Sequence, residues 1–163
     1  MIIFKISIND SFMIQQKGFK FIGISTETSN QNEEASSAIG ALWGQFISED
    51  LLSKIPNQLD PNIVCIYTDY ESDYTGRYTC LLGLKVNSLE KVPEGLIGRE
   101  FEGGNYQTFL AKGDLPQAII DTWQNIWQQD ETLNRSYTYD YEIYDHRSRR
   151  GDESEVSIFI ATN

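Results

Sequence analysis

Near the end of the chain, the segment YTYDYEIYDH (residues 137–146) sets one glutamate, Glu142, among four tyrosines. Read as a strand with period two, Tyr139, Tyr141 and Ile143 share one face, and Asp140, Glu142 and Tyr144 share the other. A solvated outer strand, its tyrosine hydroxyls wet, would account for this most simply. If rings instead enclose the glutamate, two kinds of chemistry open. As a counter-ion, Glu142 would attract a bound cation by about 4 kcal/mol at 4 Å and an effective dielectric near 20, before desolvation. Each well-placed ring would add roughly 0.5 to 2 kcal/mol of cation–π attraction. The same carboxylate, its pKa raised by an apolar pocket, would serve equally as a general base.

The other aromatic residues bear on which reading holds. Trp43, Phe46, Trp123 and Trp127 recur at helical spacing, where aromatics more often pack into a core than line a ligand site. The strand-like stretches also carry Tyr67, Tyr70, Tyr78, Tyr106, Tyr141 and Tyr144. So many rings exceed what a core sealed by two helices holds, so several of them must line a surface or a pocket. Tyrosine suits a pocket wall, being a rigid apolar body with a polar tip.

The elements that would position these residues read as strand, helix, strand, strand, twice over. FMIQQKGFKFIGISTETS is extended and ends in turn and cap residues. A helix is expected in EEASSAIGALWGQFISEDLLSKI, with Ile39, Leu42, Trp43 and Phe46 on one face. NIVCIYTDY and GRYTCLLGLKV then form two strands joined at ESDYTG, and SLEKVPEG is a polar linker. In the second half, LIGREFEGGNYQTFLAKG is again extended, with a bulge or bend at Gly103 and Gly104. DLPQAIIDTWQNIWQ opens a helix with Asp114 as N-cap and Pro116 in the first turn. SYTYDYEIYDH and SEVSIFIAT close the unit as a strand pair. Aligning AIGALWGQF with AIIDTWQNI matches Trp43 to Trp123, and aligning YTDYESD with YEIYDHR matches Thr68 to Glu142 and Tyr70 to Tyr144. Two such units related by a pseudo-twofold create a groove where they meet, a natural place for a ligand.

Composition narrows the classes. At 163 residues the chain fits one domain, 1–163, with repeat one at about 12–88 and repeat two at about 96–163. Its 40% hydrophobic content argues against disorder, and no apolar run approaches the roughly 20 residues of a membrane span. MIIFKISIND lacks the features of an export signal, so a cytoplasmic location is expected. Cys65, Cys80 and His146 have no metal-ligand or redox spacing, so neither a metal nor a cofactor is expected. The net charge of −11 disfavours direct nucleic-acid binding, and the Arg147, Arg149, Arg150 cluster reads as an exposed connection between strands.

IGALWGQF, YTDYESDYTGRYTCLLG, GGNYQTFLAKGDLPQAIIDTWQNIW and YDYEIYD, in that order from about Phe19 to Thr162, resemble the GyrI-like small-molecule-binding domain family. This family also supplies the effector-binding domain of MerR-type and AraC-type multidrug-responsive transcription regulators. The resemblance implies an α+β fold of two pseudo-twofold-related βαββ (SHS2-type) repeats, with a curved antiparallel sheet, two helices on one side and a cleft at the junction. It implies that Glu142 is the buried acid meeting cationic lipophilic ligands, and that Trp43, Tyr70, Tyr106, Trp123 and Tyr144 are aromatic positions of the site. Phe46, Tyr78 and Trp127 are further candidates that could equally be core. The residues ahead of the first repeat number fewer than twenty and read as extended rather than as a helix-turn-helix. The expectation is therefore a stand-alone effector-binding module, similar to members linked to integron cassettes.

Three functions follow as expectations. The first is a binding protein for amphipathic, cationic small molecules, linked to transcription regulation or to a drug or toxin response. The second is a hydrolase of cyclopropane-containing toxins, like some GyrI-like proteins, with Glu142 activating water and Tyr70 or Tyr144 donating a proton. The third is a protein-interaction module whose acidic surface engages gyrase or a separately encoded regulator. Of these, binding rather than catalysis is the first expectation.

Overall fold

The computed structural model describes residues 3–5 and 12–163, with side chains from Met13 onward. Of the N-terminal MIIFKISIND, only Ile3–Lys5 falls within the described residues. The elements run β1 (Ile3–Lys5), β2 (Phe12–Gln16), β3 (Phe19–Ser29), α1 (Glu34–Ser48), α2 (Leu51–Lys54), β4 (Gln58–Thr68), β5 (Arg77–Val86) and β6 (Ile97–Phe101). They continue with β7 (Gly104–Lys112), α3 (Gln117–Gln128), α4 (Asp130–Leu133), β8 (Tyr139–Tyr144) and β9 (Glu155–Thr162).

The described strands form one antiparallel sheet in the order β1-β2-β7-β9-β8-β4-β5-β3-β6. Its centre is the β8–β4 ladder, and on either side the strands of a βαββ unit are laid out in mirrored order. The strand ahead of each unit crosses to the other: β2 pairs with β7 of the second, and β6 pairs with β3 of the first. Only Lys17 and Gly18 separate β2 from β3, although these strands lie near opposite ends of the strand order. The sheet must therefore curl until its ends approach.

The two crossovers touch where the ends meet. A Cβ on Gly18 would lie 2.4 Å from the Phe101 carbonyl oxygen, and one on Gly103 would lie 2.5 Å from that of Gln16. Gly18→Ala or Gly103→Ala should therefore cost about 1–3 kcal/mol as overpacking against backbone. Gly44, in mid-α1, has open space where its Cβ would be. Gly44→Ala should stabilise by up to about 1 kcal/mol through helix propensity. Urea midpoints moving in opposite directions for the same chemical change would check both.

One face of the sheet packs under the helices and the other lines the inside of the curl. Leu42 and Phe46 of α1 bury against Ile22, Leu82 and Leu84, and Ile126 of α3 packs with Val156, Ile158 and Ile160. The inner face is an aromatic core that includes Phe21, Phe101, Tyr106, Tyr139 and Tyr141. The expected long first helix divides at Glu49–Asp50. There Asp50 turns left-handed (φ 49°) and accepts a bond from the Ser53 hydroxyl at 2.6 Å, starting α2 with Leu51 buried. At α3 the Asp114 main-chain oxygen, rather than its side chain, accepts from the Ala118 N–H, and Pro116 takes the cap position.

The ladders correct the residue-by-residue match between the repeats. Because β2 pairs with β7 as β6 pairs with β3, Lys20 corresponds to Asn105. Their partners in β5 and β9, Val86 and Thr162, then correspond, and so do Leu82 and Ile158. Cys65 pairs with Leu82, and Glu142 pairs with Ile158. The counterpart of Glu142 is therefore Cys65, and that of Tyr144 is Tyr67. The expected pairing of Thr68 with Glu142 slips by three residues, an odd number, which turns Thr68 onto the inner face opposite Tyr139. Cys65 and Glu142 also face each other across the β4–β8 ladder, placing them on the pseudo-twofold itself.

Candidate functional site

Over this central ladder, α1 and α3 leave a cleft of about 550 Å³, within the range of small-molecule sites. Glu142, at its floor, is 1% exposed. Three donors from three elements hold it. Tyr67 on β4 donates to Oε2 at 2.9 Å, the Trp123 indole N–H on α3 donates to Oε2 at 2.6 Å, and Tyr144 on β8 donates to Oε1 at 2.6 Å. Period two brings these groups together: Cys65 and Tyr67 face the helices from β4, as Glu142 and Tyr144 do from β8.

Burial pushes the Glu142 carboxyl above the ordinary carboxylate range, and the bonds from Tyr144, Trp123, Tyr67 and Cys65 work against that rise. Burial likewise raises the Tyr67 and Tyr144 hydroxyls well above the ordinary tyrosine value, so both remain protonated donors. Beneath them, Cys65 and Cys80 are free, buried thiols with sulfurs 3.5 Å apart. The neighbouring Cys80 thiol and burial raise the Cys65 pKa well above its ordinary value.

The walls are aromatic. Trp43 meets the Tyr144 ring edge-on at 4.8 Å, and Trp123 meets the Tyr67 ring at 5.2 Å. Tyr70 and Tyr78 line the same space. Trp127 on α3 also lines it and stacks nearly parallel on Tyr74 of the β4–β5 turn, with centroids 5.7 Å apart. All three tryptophans of the chain therefore border one cleft. Two of the expected residues lie elsewhere. Phe46 is buried beneath α1 against the sheet, and Tyr106 lies in the inner-face core between Tyr139 and Tyr141. The reason for Tyr106 is register: it pairs with Ala161, which also belongs to the inner-face core.

Sequence reasoning passed over three groups of this site. Tyr67, noted only as one more ring, bonds directly to Glu142; the corrected register marks it as the counterpart of Tyr144. Arg135, in the connection before β8, lines the cleft with its side chain almost wholly buried. It donates to Asp140 at 2.7 Å, and its guanidinium lies 4.2 Å from the centre of the Tyr137 ring. Asp140, fully buried, also accepts from the Tyr70 hydroxyl at 2.5 Å and from the Ala161 N–H at 2.7 Å. Burial works against the Arg135 charge, but Asp140, Tyr70 and Tyr137 together outweigh it and hold the guanidinium pKa above its usual value. Among the described residues no group of three or more His, Cys, Asp and Glu side chains could hold a metal, and no helix is long and apolar enough to cross a membrane.

The comparisons agree with this architecture. A family model described as integron-associated effector binding protein matches residues 13–162. YobU of Bacillus subtilis, named a putative transcriptional regulator protein, is 28% identical over 145 residues, 87% of this chain and 91% of its own length. The integron cassette protein VCH_CASS2 of Vibrio cholerae superposes with a TM-score of 0.73 at 29% identity, covering 94% of this chain and 95% of that one. SAV2435, solved bound to tetraphenylphosphonium, superposes with a TM-score of 0.79 at 14% identity, covering 94% of each chain. At that identity the last likeness speaks for the fold alone. With its two βαββ units, its curled antiparallel sheet and a match across nearly its whole length, this chain belongs to the family of integron-associated effector-binding proteins and has the GyrI-like fold of regulator effector-binding domains.

Proposed function

We propose that the chain binds amphipathic cations in this cleft, as the effector-sensing part of a cytoplasmic drug or toxin response coupled to transcription. The observation that carries the reading is Glu142, a carboxylate at the floor of an aromatic cleft that no protein cation neutralises among the described residues. Its hydrogen bonds stabilise the charged form, and a cation with apolar arms would complete the charge balance while covering the rings of Trp43, Trp123 and Tyr144. A water-activating base needs lone pairs facing a water, whereas three protein donors already bond the Glu142 oxygens and leave about one of its four sites. That favours the counter-ion role over hydrolysis. SAV2435, which shares the fold, was solved with a lipophilic cation of this class.

The test is a titration with tetraphenylphosphonium followed by tryptophan fluorescence, since every tryptophan borders the cleft. Saturable quenching is expected. The affinity should also depend on pH. The cation binds the ionised carboxylate, whose pKa is raised in the free protein, so affinity should be full above that raised value and fall as pH drops through it. Binding should correspondingly release a fraction of a proton in mildly acid buffer, detectable by calorimetry in buffers of different ionisation heat. An affinity flat from neutral pH into the acid range would remove Glu142 as the counter-ion.

A further inference from the structure

The two helices turn the same pattern of positions toward the cleft, with one difference. Ile39, Gly40 and Trp43 of α1 line it, and Ile119, Ile120 and Trp123 of α3 line it at the same spacing. Gly40 lies three residues before Trp43, so the two share one helix face. The match between the helices holds in depth as well, since Phe46 and Ile126, three residues after the tryptophans, are both buried against the sheet. The pseudo-twofold passes through Cys65 and Glu142 at the floor, so equivalent positions on the helices face each other across the cleft. Gly40 therefore stands opposite Ile120. Ile120 raises a branched side chain at the rim, 42% exposed, whereas a Cβ on Gly40 would have nothing within 4 Å. The α3 wall continues past Ile120 in Trp127, stacked on Tyr74. One wall is thus built up with side chains, and the other drops to helix backbone beside the Trp43 indole.

Resting on the cation-binding reading above, we infer that Gly40 is a specificity-determining residue: the notch it leaves in the α1 wall takes a second aromatic arm of the ligand, which opens the cleft to branched, multi-aryl cations. Glu142 attracts a cation of any shape, so shape is decided at the rim. A flat, single-armed cation fits between the tryptophans and needs no notch. A centre with several aryl groups must send one of them sideways, and the α1 side is where Cβ space is free. There the arm would cover the edge of Trp43 and the exposed helix backbone, burying apolar surface. A side chain at position 40 would fill that volume. The helix could not retreat from it without unpacking Leu42 and Phe46 from the sheet.

The experiment measures two singly charged cations by calorimetry at neutral pH: tetraphenylphosphonium, which is branched, and (1-naphthylmethyl)trimethylammonium, which has a single flat arm. Gly40→Ile copies Ile120 onto the opposite wall. It should weaken tetraphenylphosphonium about tenfold or more through overpacking against the ligand, and leave the naphthyl compound within about twofold. Isoleucine is a better helix former than glycine, so the variant should be at least as stable as wild type. Gly44→Ile makes the same change one turn later, where the Cβ also has open space but lies outside the cleft lining, and it should alter neither affinity. Tetraphenylphosphonium binding unchanged in Gly40→Ile, an equal loss for both cations, or an equal loss in Gly44→Ile would overturn the inference. Glu142→Gln, run alongside, should weaken both cations, because charge acts on each and the notch on one. If wild type fails to bind tetraphenylphosphonium, the cation-binding reading falls and takes this one with it; if wild type binds it and Gly40→Ile does not discriminate, only the role of Gly40 falls.

Discussion

Glu142→Gln should weaken tetraphenylphosphonium binding tenfold or more, about 1.4 kcal/mol, while leaving the protein at least as stable at neutral pH. The amide keeps the shape of the site. Its oxygen can accept from Tyr67 and Trp123 as Oε2 does, and the Tyr144 hydroxyl can turn to accept from its NH₂. What disappears is the charge. Coulomb attraction of about 4 kcal/mol at 4 Å leaves ample room for a tenfold effect after desolvation. The stability sign follows from the direction of the pKa shift. The Glu142 pKa is raised by folding, so its contribution to stability is full below the unfolded carboxyl range and is lost as pH rises through the folded value. Glutamine has no such loss, so any gain should grow from acid toward neutral pH and then level off. Urea midpoints across that window, beside the fluorescence titrations, would read both effects. Equal affinity for tetraphenylphosphonium in the two proteins would take Glu142 out of the binding role.

Much of this site was legible because strand and helix periods are local. Alternation alone put Glu142 and Tyr144 on one face and Tyr139 and Tyr141 on the other, and the ladders confirm that division. Helical spacing found the apolar face of α1, yet it could not say that Trp43 reaches the cleft while Phe46 stops in the core beneath. That depends on how the helix lies over the sheet. Tyr106 and the slipped match of Thr68 failed for a related reason. The similarity of YTDY to YEIY suggests a pairing, but only the ladder partner fixes the face, and those partners, Ala161 for Tyr106 and Tyr139 for Thr68, lie far away in sequence. The exchange of β2 and β6 between the repeats, and the Gly18–Gly103 contact it creates, likewise arise from long-range pairing. Arg135 sits in a short polar connection whose composition reads as a turn; its role exists only because Asp140 on β8 and the Tyr70 ring just past β4 converge on it.

The Arg135–Asp140 pair should separate the folding of the cleft from its affinity. Both side chains are almost wholly buried, at 1% and 0% exposure, so neither charge has water to fall back on. Arg135→Met removes the cation and leaves Asp140 with only the Tyr70 hydroxyl and the Ala161 N–H as donors. Breaking a buried pair on one side costs about 3–5 kcal/mol, and the two surviving donors place this variant near the lower end. Asp140→Asn added to Arg135→Met removes the stranded charge, so the double variant should be more stable than the sum of the single losses by about 1–3 kcal/mol in a urea double-mutant cycle. Strict additivity would mean that the pair does not act as a unit. Cation affinity should move in the opposite sense to stability in the single Arg135→Met variant. Arg135 lines the same cleft as Glu142, and its removal takes a positive charge away from the place where the ligand's charge would settle. Tetraphenylphosphonium should therefore bind folded Arg135→Met as tightly as wild type, or more so. A loss of affinity comparable to that of Glu142→Gln would instead show that the Arg135–Asp140 pair, through Tyr70, shapes the wall the ligand rests on.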